Sequence, residues 1–215
     1  MVKLKKYDIN GKEVGVVEID PSMLESAAHS QSIKDYIVAI RNNARQWSAN
    51  TKRRSEVNHT GKKPHPQKGQ GRSRQGDLAA PHYKGGAVVW GPKPKFDVHT
   101  KINRKERRAA IRFLIAEKVK AGQVHVLDSE GMKEPKTKKM VGFLKHLELI
   151  DRRILMLGST EKSNNEKHRN LVKSVRNLPK KEFLSLAQVN GYELVRSQSI
   201  VLLESAVPEL ISLLG

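Results

Sequence analysis

Sixteen consecutive residues, Gly61-Lys62-Lys63-Pro64-His65-Pro66-Gln67-Lys68-Gly69-Gln70-Gly71-Arg72-Ser73-Arg74-Gln75-Gly76, concentrate side chains suited to gripping a polyanion. Lysines neutralise phosphate as point charges, and an arginine fork can hold one through two hydrogen bonds. Glycines expose backbone N–H groups and let the chain approach a sugar–phosphate wall closely. Gln67, Gln70 and Gln75 can meet base edges or 2′-hydroxyls, and Pro64 and Pro66 reduce the conformational freedom lost on docking. More cations flank this centre: Arg45, Lys52, Arg53 and Arg54 before it, and Lys84, Lys93, Lys95, Lys101 and Arg104 after it. With Lys62, Lys63, Gln67, Lys68, Arg72, Arg74 and Tyr83 they form the candidate RNA-contacting set. Tyr83 is included because so little apolar sequence surrounds it.

The distribution of charge supports this choice. The 215 residues carry 41 Lys and Arg against 22 Asp and Glu, a net of +19. Residues 41–105 hold sixteen cations against three acids, so a net of +13 falls in less than a third of the chain. An imbalance of this kind implies a polyanionic partner. Nucleic acid and an anionic membrane are the two candidates. No apolar run is long enough to span a membrane and no secretion signal is recognisable, so neither a membrane span nor secretion is expected. Cysteine is absent, excluding disulfides, thiolate metal sites and a thiol nucleophile. Between Ser48 and Gly86 the only large apolar side chains are Val57, Leu78 and Tyr83. Such a segment cannot offset its ordering entropy by burial of its own, so an RNA surface is expected to supply the stabilisation.

The flanks read as globular protein. Val2–Tyr7 and Val14–Ile19 are expected strands joined by a turn at Asn10-Gly11. Helical spacing of Ile33, Tyr36, Ile37, Ile40, Ala44 and Trp47 predicts a helix over Ser32–Trp47. A second, Asn103–Ala121, starts with Asn103 and Glu106 as a capping box and ends at Gly122. Val124–Leu127, Ile154–Leu157 and Ile200–Leu203 read as strands, and Phe183–Ala187 more weakly so. Helices are expected over Pro135–Leu149 with proline in the first turn, from a Ser163/Glu166 capping box to about Leu178, near Tyr192–Arg196, and from Ser205 onward. Alternating strands and helices imply an α/β fold: a globular domain with a mainly parallel sheet flanked by helices, plus a long extended basic loop. Residues 1–47 and 103–215 would form the domain and 48–102 the insertion.

At this point the sequence resembles a known family. Thr51-Lys52-Arg53-Arg54-Ser55-Glu56-Val57, then GKKP, QKGQGRSRQG, Pro81 and GGAVVWGPKP resemble the bacterial large-subunit ribosomal protein four family. Similarity continues through Lys101-Ile102-Asn103-Arg104-Lys105, Glu134-Pro135-Lys136-Thr137-Lys138 and Ser199–Val207, so it covers nearly the whole chain. The resemblance implies a structural constituent of the large ribosomal subunit, bound early in assembly to several domains of the large rRNA. Expected partners are that rRNA, neighbouring large-subunit proteins and the nascent polypeptide, with no membrane; the location would be the cytoplasmic ribosome. The resemblance also implies that the loop tip lines the polypeptide exit tunnel, through Lys62, Lys63, Pro64, His65, Gln67, Lys68, Gly69, Gln70 and Gly71. His65-Pro66 and Gln70 depart from the residues the family commonly has there.

Other readings have less support. The eight histidines are scattered, with no i, i+4 pair beside a glutamate, so no metal is expected. No nucleotide-binding glycine motif occurs, and Leu157-Gly158-Ser159-Thr160 offers a single glycine after a strand. The expectation is therefore no catalysis and no cofactor. A nucleotide-binding enzyme with a basic arm and a general nucleic-acid chaperone are the two alternatives. Trp47 is expected to pack in the core or at a hinge, whereas Trp90 could pack at the loop base or lie against RNA.

Overall fold

The computed structural model describes residues 2–94, 99–128, 134–160 and 168–215. The chain divides into two compact units, one of Met1–Arg41 with Lys101–Gly215 and one of Asn42–Thr100. The first contains a six-stranded sheet. Its strands are β1 (Val2–Tyr7), β2 (Glu13–Ile19), β3 (Val124–Leu127), β4 (Ile154–Gly158), β5 (Lys181–Ser185) and β6 (Ser199–Leu203). Their order is β2-β1-β3-β6-β4-β5. Only the β1–β2 hairpin is antiparallel; the remaining neighbours pair in parallel. Gly11 closes the hairpin at φ +82°, a left-handed conformation that glycine adopts without strain, and Asp8 N–H donates to the Lys12 carbonyl at 2.9 Å.

Parallel strands need crossover helices, and these bury both faces of the sheet. Every residue of β4 and β6 is buried. The period-two alternation of β4 sends Leu155 and Leu157 to one face and Ile154 and Met156 to the other. The first face is covered by α1 (Ser30–Asn43), α2 (Arg104–Lys120), α5 (Gly191–Arg196) and α6 (Val207–Leu214). The second face is covered by α3 (Thr137–His146) and α4 (Arg169–Arg176). The predicted stripe of α2 is buried as expected, at Ala110, Ile111, Leu114, Ile115 and Val119, as are Met140, Phe143 and Leu144 of α3. At the start of α5 the Cα of Gly191 packs on the Tyr36 ring of α1, where a Cβ would come within 2.7 Å of the ring.

Several boundaries differ from those expected. Helix α1 stops at Asn43 rather than Trp47 because Asn43 turns its amide to the backbone of Thr100: Nδ2 donates to the Thr100 carbonyl at 3.1 Å, and Oδ1 accepts from its N–H at 2.9 Å. Asn103 precedes α2 but does not cap it with its side-chain oxygen; its Nδ2 donates instead to Glu106 Oε1 at 3.3 Å. Pro135 lies outside α3, since Lys136 is extended and the helix begins at Thr137. Before α6 the chain passes through a short 3-10 turn, Glu204–Ala206. The Ser163/Glu166 capping pair lies outside the described residues. Among the described residues, no helix is long and apolar enough to cross a membrane.

Candidate nucleic-acid interface

Between Asn43 and Arg104 the described residues form neither helix nor strand. Their backbone is nevertheless organised by nested pairs that bring the outgoing and returning chain together. Asn43 meets Thr100, and Thr51 Oγ1 donates to the Pro92 carbonyl at 3.0 Å. Val88 N–H donates to the Lys52 carbonyl at 3.1 Å, and Arg54 Nε to Asp77 Oδ2 at 2.7 Å. Nearest the turn, His65 Nε2 donates to the Ser73 carbonyl at 2.8 Å. Nesting of this kind means that the chain doubles back, with its reversal between His65 and Ser73. Gly69 and Gly71 supply left-handed backbone there, at φ +88° and +61°.

Polar contacts, rather than apolar burial, hold these arms. Only Ala79 and Ala87 are buried apolar residues in this unit's described part, and Ala87 N–H donates to the Ala79 carbonyl at 2.9 Å. Lys93 Nζ donates to the Thr51 carbonyl at 2.7 Å and also pairs with Glu56. That lysine, together with Arg53 N–H, holds the Glu56 carboxyl below its ordinary range. Asp77 is likewise held low, first by Ala79 N–H and then by Arg54, with His59 Nδ1 3.5 Å away. Sequence reasoning alone does not single out these two acids. The signal for them is their sign: residues 41–105 contain just three acids, Glu56, Asp77 and Asp97.

The candidate contact residues therefore fall into two groups. Arg45, Lys52, Arg53, Lys62, Lys68, Arg72, Arg74, Lys84, Lys101 and Arg104 are exposed. Half-buried Lys93 is tied to Glu56 and exposed Arg54 to Asp77, and exposed Lys63 donates through Nζ to Gln67 Oε1 at 2.6 Å. Tyr83 is half-buried, with its ring centroid 4.5 Å from that of His82. At the reversal Gly69, Gln70 and Gly71 are exposed, whereas Pro64 and His65 are half-buried. Lys95 lies outside the described residues. Trp47 is not in a helical stripe; the Arg45 guanidinium lies 4.7 Å from its ring centroid. Trp90 is fully exposed.

Among the described residues, two places where an α/β enzyme could bind a small molecule are occupied or misplaced. Ligands of parallel sheets sit beyond the carboxyl ends of the strands. Beyond β4, the Glu209 carboxylate accepts hydrogen bonds from Ser159 Oγ and Thr160 N–H, so a side chain of the protein already takes the position an anion would need. A cleft of about 160 Å³ lies instead at the amino ends of β4 and β5, among Arg153, Lys181, Glu182, Glu193 and Arg196. Lys181 is not available there to a ligand, since its Nζ donates to the Ile150 and Arg152 carbonyls, each at 2.7 Å.

In this cleft burial, reinforced by the adjacent Glu182, pushes the Glu193 carboxyl from 4.5 up to about 7, against the opposing pull of Arg196. A carboxyl raised in the fold favours the protonated folded state, so its contribution is complete below pH 4.5 and is lost as pH rises through about 7. Glu193→Gln is expected to abolish that decline, which thermal melts at several pH values would reveal. Parallel pH profiles for variant and parent would refute the assignment.

A family model described as the ribosomal protein L4/L1 family matches residues 17–212. The chain is similar to the large ribosomal subunit protein uL4 of Lachnoclostridium phytofermentans, at 34% identity over 210 residues and 98% of each chain. The uL4 protein of Moorella thermoacetica is 33% identical over 207 residues and 96% of each chain. That of Mycoplasma mycoides is 32% identical over 205 residues, spanning 95% of this chain and 96% of the relative.

Proposed function

The chain belongs to the ribosomal protein L4/L1 family, whose members are structural, non-catalytic parts of the large ribosomal subunit, and from that premise we propose that residues 48–102 form its rRNA-binding insertion. The α/β domain of residues 1–47 and 103–215 anchors both ends of the insertion. Exposed cations on its two arms neutralise rRNA phosphates, releasing counterions, while the reversal at Lys62–Gly71 reaches the polypeptide exit tunnel and faces the nascent chain. Binding early in assembly, to several domains of the large rRNA, is what the resemblance to the family implies. The protein would act in the cytoplasm, within the ribosome, beside neighbouring large-subunit proteins.

The observation that carries this reading is the separation of roles among the basic residues. Lys93 and Arg54 pair with the acids Glu56 and Asp77, Arg54 while remaining exposed, whereas Lys62, Lys68, Arg72 and Arg74 stand exposed around the reversal. Cations left outward on an internally clamped scaffold are arranged for an external polyanion. Co-sedimentation tests the proposal: the protein is expected to travel with large subunits through a high-salt gradient. A general nucleic-acid chaperone would wash off, and its release there would exclude a built-in subunit component.

A further inference from the structure

We propose that Trp90 is a nucleobase-stacking site, holding an unpaired base of RNA against its indole face. This rests on the reading of residues 48–102 as an RNA-binding insertion and adds a contact of different chemistry from phosphate neutralisation. Trp90 is 100% exposed, and Val88 and Val89 beside it are 48% and 60% exposed. A protein surface seldom leaves its largest apolar side chain wholly in water without a partner for it.

The backbone holds the ring outward. Trp90 has φ +57°, a left-handed conformation unfavourable for a bulky side chain. Its neighbours on both sides are tightly placed. Val88 N–H is tied to the Lys52 carbonyl at 3.1 Å, and the Gly91 Cα packs so closely that a Cβ would lie 2.1 Å from Thr51 Oγ1 and 2.9 Å from Val88 Cγ1. The chain therefore bends across Val88–Gly91 with Trp90 on its outer corner. Backbone strain of this sort is a pointer to a binding role when the surroundings enforce it.

The surroundings also say which partner fits. Lys52 is exposed on the opposing arm, Lys84 is exposed upstream, and the whole segment from 41 to 105 has a net charge of +13. An apolar protein surface would gain nothing from that field, whereas a nucleic acid offers phosphates to the lysines and a flat π-face to the indole. Stacking of this type is tolerant of base identity, so the site is expected to select unpaired over paired RNA rather than one sequence.

The test uses the full-length chain carrying Trp47→Phe, which leaves Trp90 as the only tryptophan. Single-stranded oligoadenylate is expected to quench its fluorescence and shield it from acrylamide, while heparin, a polyanion without bases, binds with no such shielding. Trp90→Ala should weaken oligoadenylate binding about tenfold and leave heparin affinity unchanged, with Trp90→Phe in between. Equal losses for both polyanions, or a ring still open to acrylamide at saturating RNA, would overturn stacking while leaving the phosphate-binding reading in place. Shielding only by ribosomal proteins, not by RNA, would overturn it too. If neither polyanion binds the parent chain, the functional reading itself fails.

Discussion

Excising residues 58–76 is expected to make RNA binding far less sensitive to salt, lowering the slope of log affinity against log salt by roughly four. The excised stretch contains Lys62, Lys63, Lys68, Arg72 and Arg74. Each cation seated on a phosphate releases condensed counterions worth about 0.7 to 0.9 of slope, the range from single strand to duplex. Five of them therefore account for about four. Between 50 and 200 mM salt, the parent chain would lose about 10²-fold more affinity than the shortened one. The excision spares the Thr51–Pro92, Lys52–Val88, Lys93–Glu56 and Arg54–Asp77 pairs, so the arms keep their closure. Filter binding of an rRNA fragment over that range measures both slopes, and equal slopes would contradict the placing of phosphate contacts at the reversal.

The second large effect concerns the sheet. Leu202→Ala should destabilise the protein by about 2–5 kcal/mol, because a buried leucine lost from a close-packed interior leaves a cavity as well as forfeiting transfer energy. Leu202 is fully buried in β6, paired in register with Val126 of β3 and with Leu157 of β4. Strands on both sides limit how far the backbone can relax into the space. Val16→Ala on the edge strand β2 is the control: Val16 is more than half exposed, so its truncation should change stability by no more than about 0.5 kcal/mol. Urea melts of the two variants would show a large shift for the first alone. Comparable shifts would mean that β6 is not the centre of the core.

Much of the sheet domain is legible in the residue pattern. Val2–Tyr7 and Val124–Leu127 begin and end where their patterns say, and α2 buries the stripe its spacing defines. One error falls where a local pattern meets a distant partner, and another where two neighbouring side chains bond each other. Ala44 and Trp47 continue the helical spacing of α1, yet the helix ends at Asn43, whose side chain bonds the backbone of Thr100, 57 residues along the chain. Asn103 and Glu106 have capping-box spacing, but their side chains bond each other.

The same division holds for the candidate interface. The expectation that residues 41–105 meet a polyanion rests on composition alone, since net charge and the want of apolar residues do not depend on how the chain is folded. The cations of Lys62–Arg74 are identifiable by type and spacing for the same reason. What composition cannot assign is the work each charge does. Lys93 and Lys52 look alike in a sequence; only tertiary contact makes one a clamp on Glu56 and leaves the other exposed. Nor can it show that Trp90 stands in solvent at a positive φ, beside a Gly91 that leaves no room for a Cβ against Thr51 and Val88. Charge and periodicity are properties of the chain and can be read along it. Pairing depends on which residues come within a few ångströms across about forty residues of chain, and that is settled only when the chain folds back.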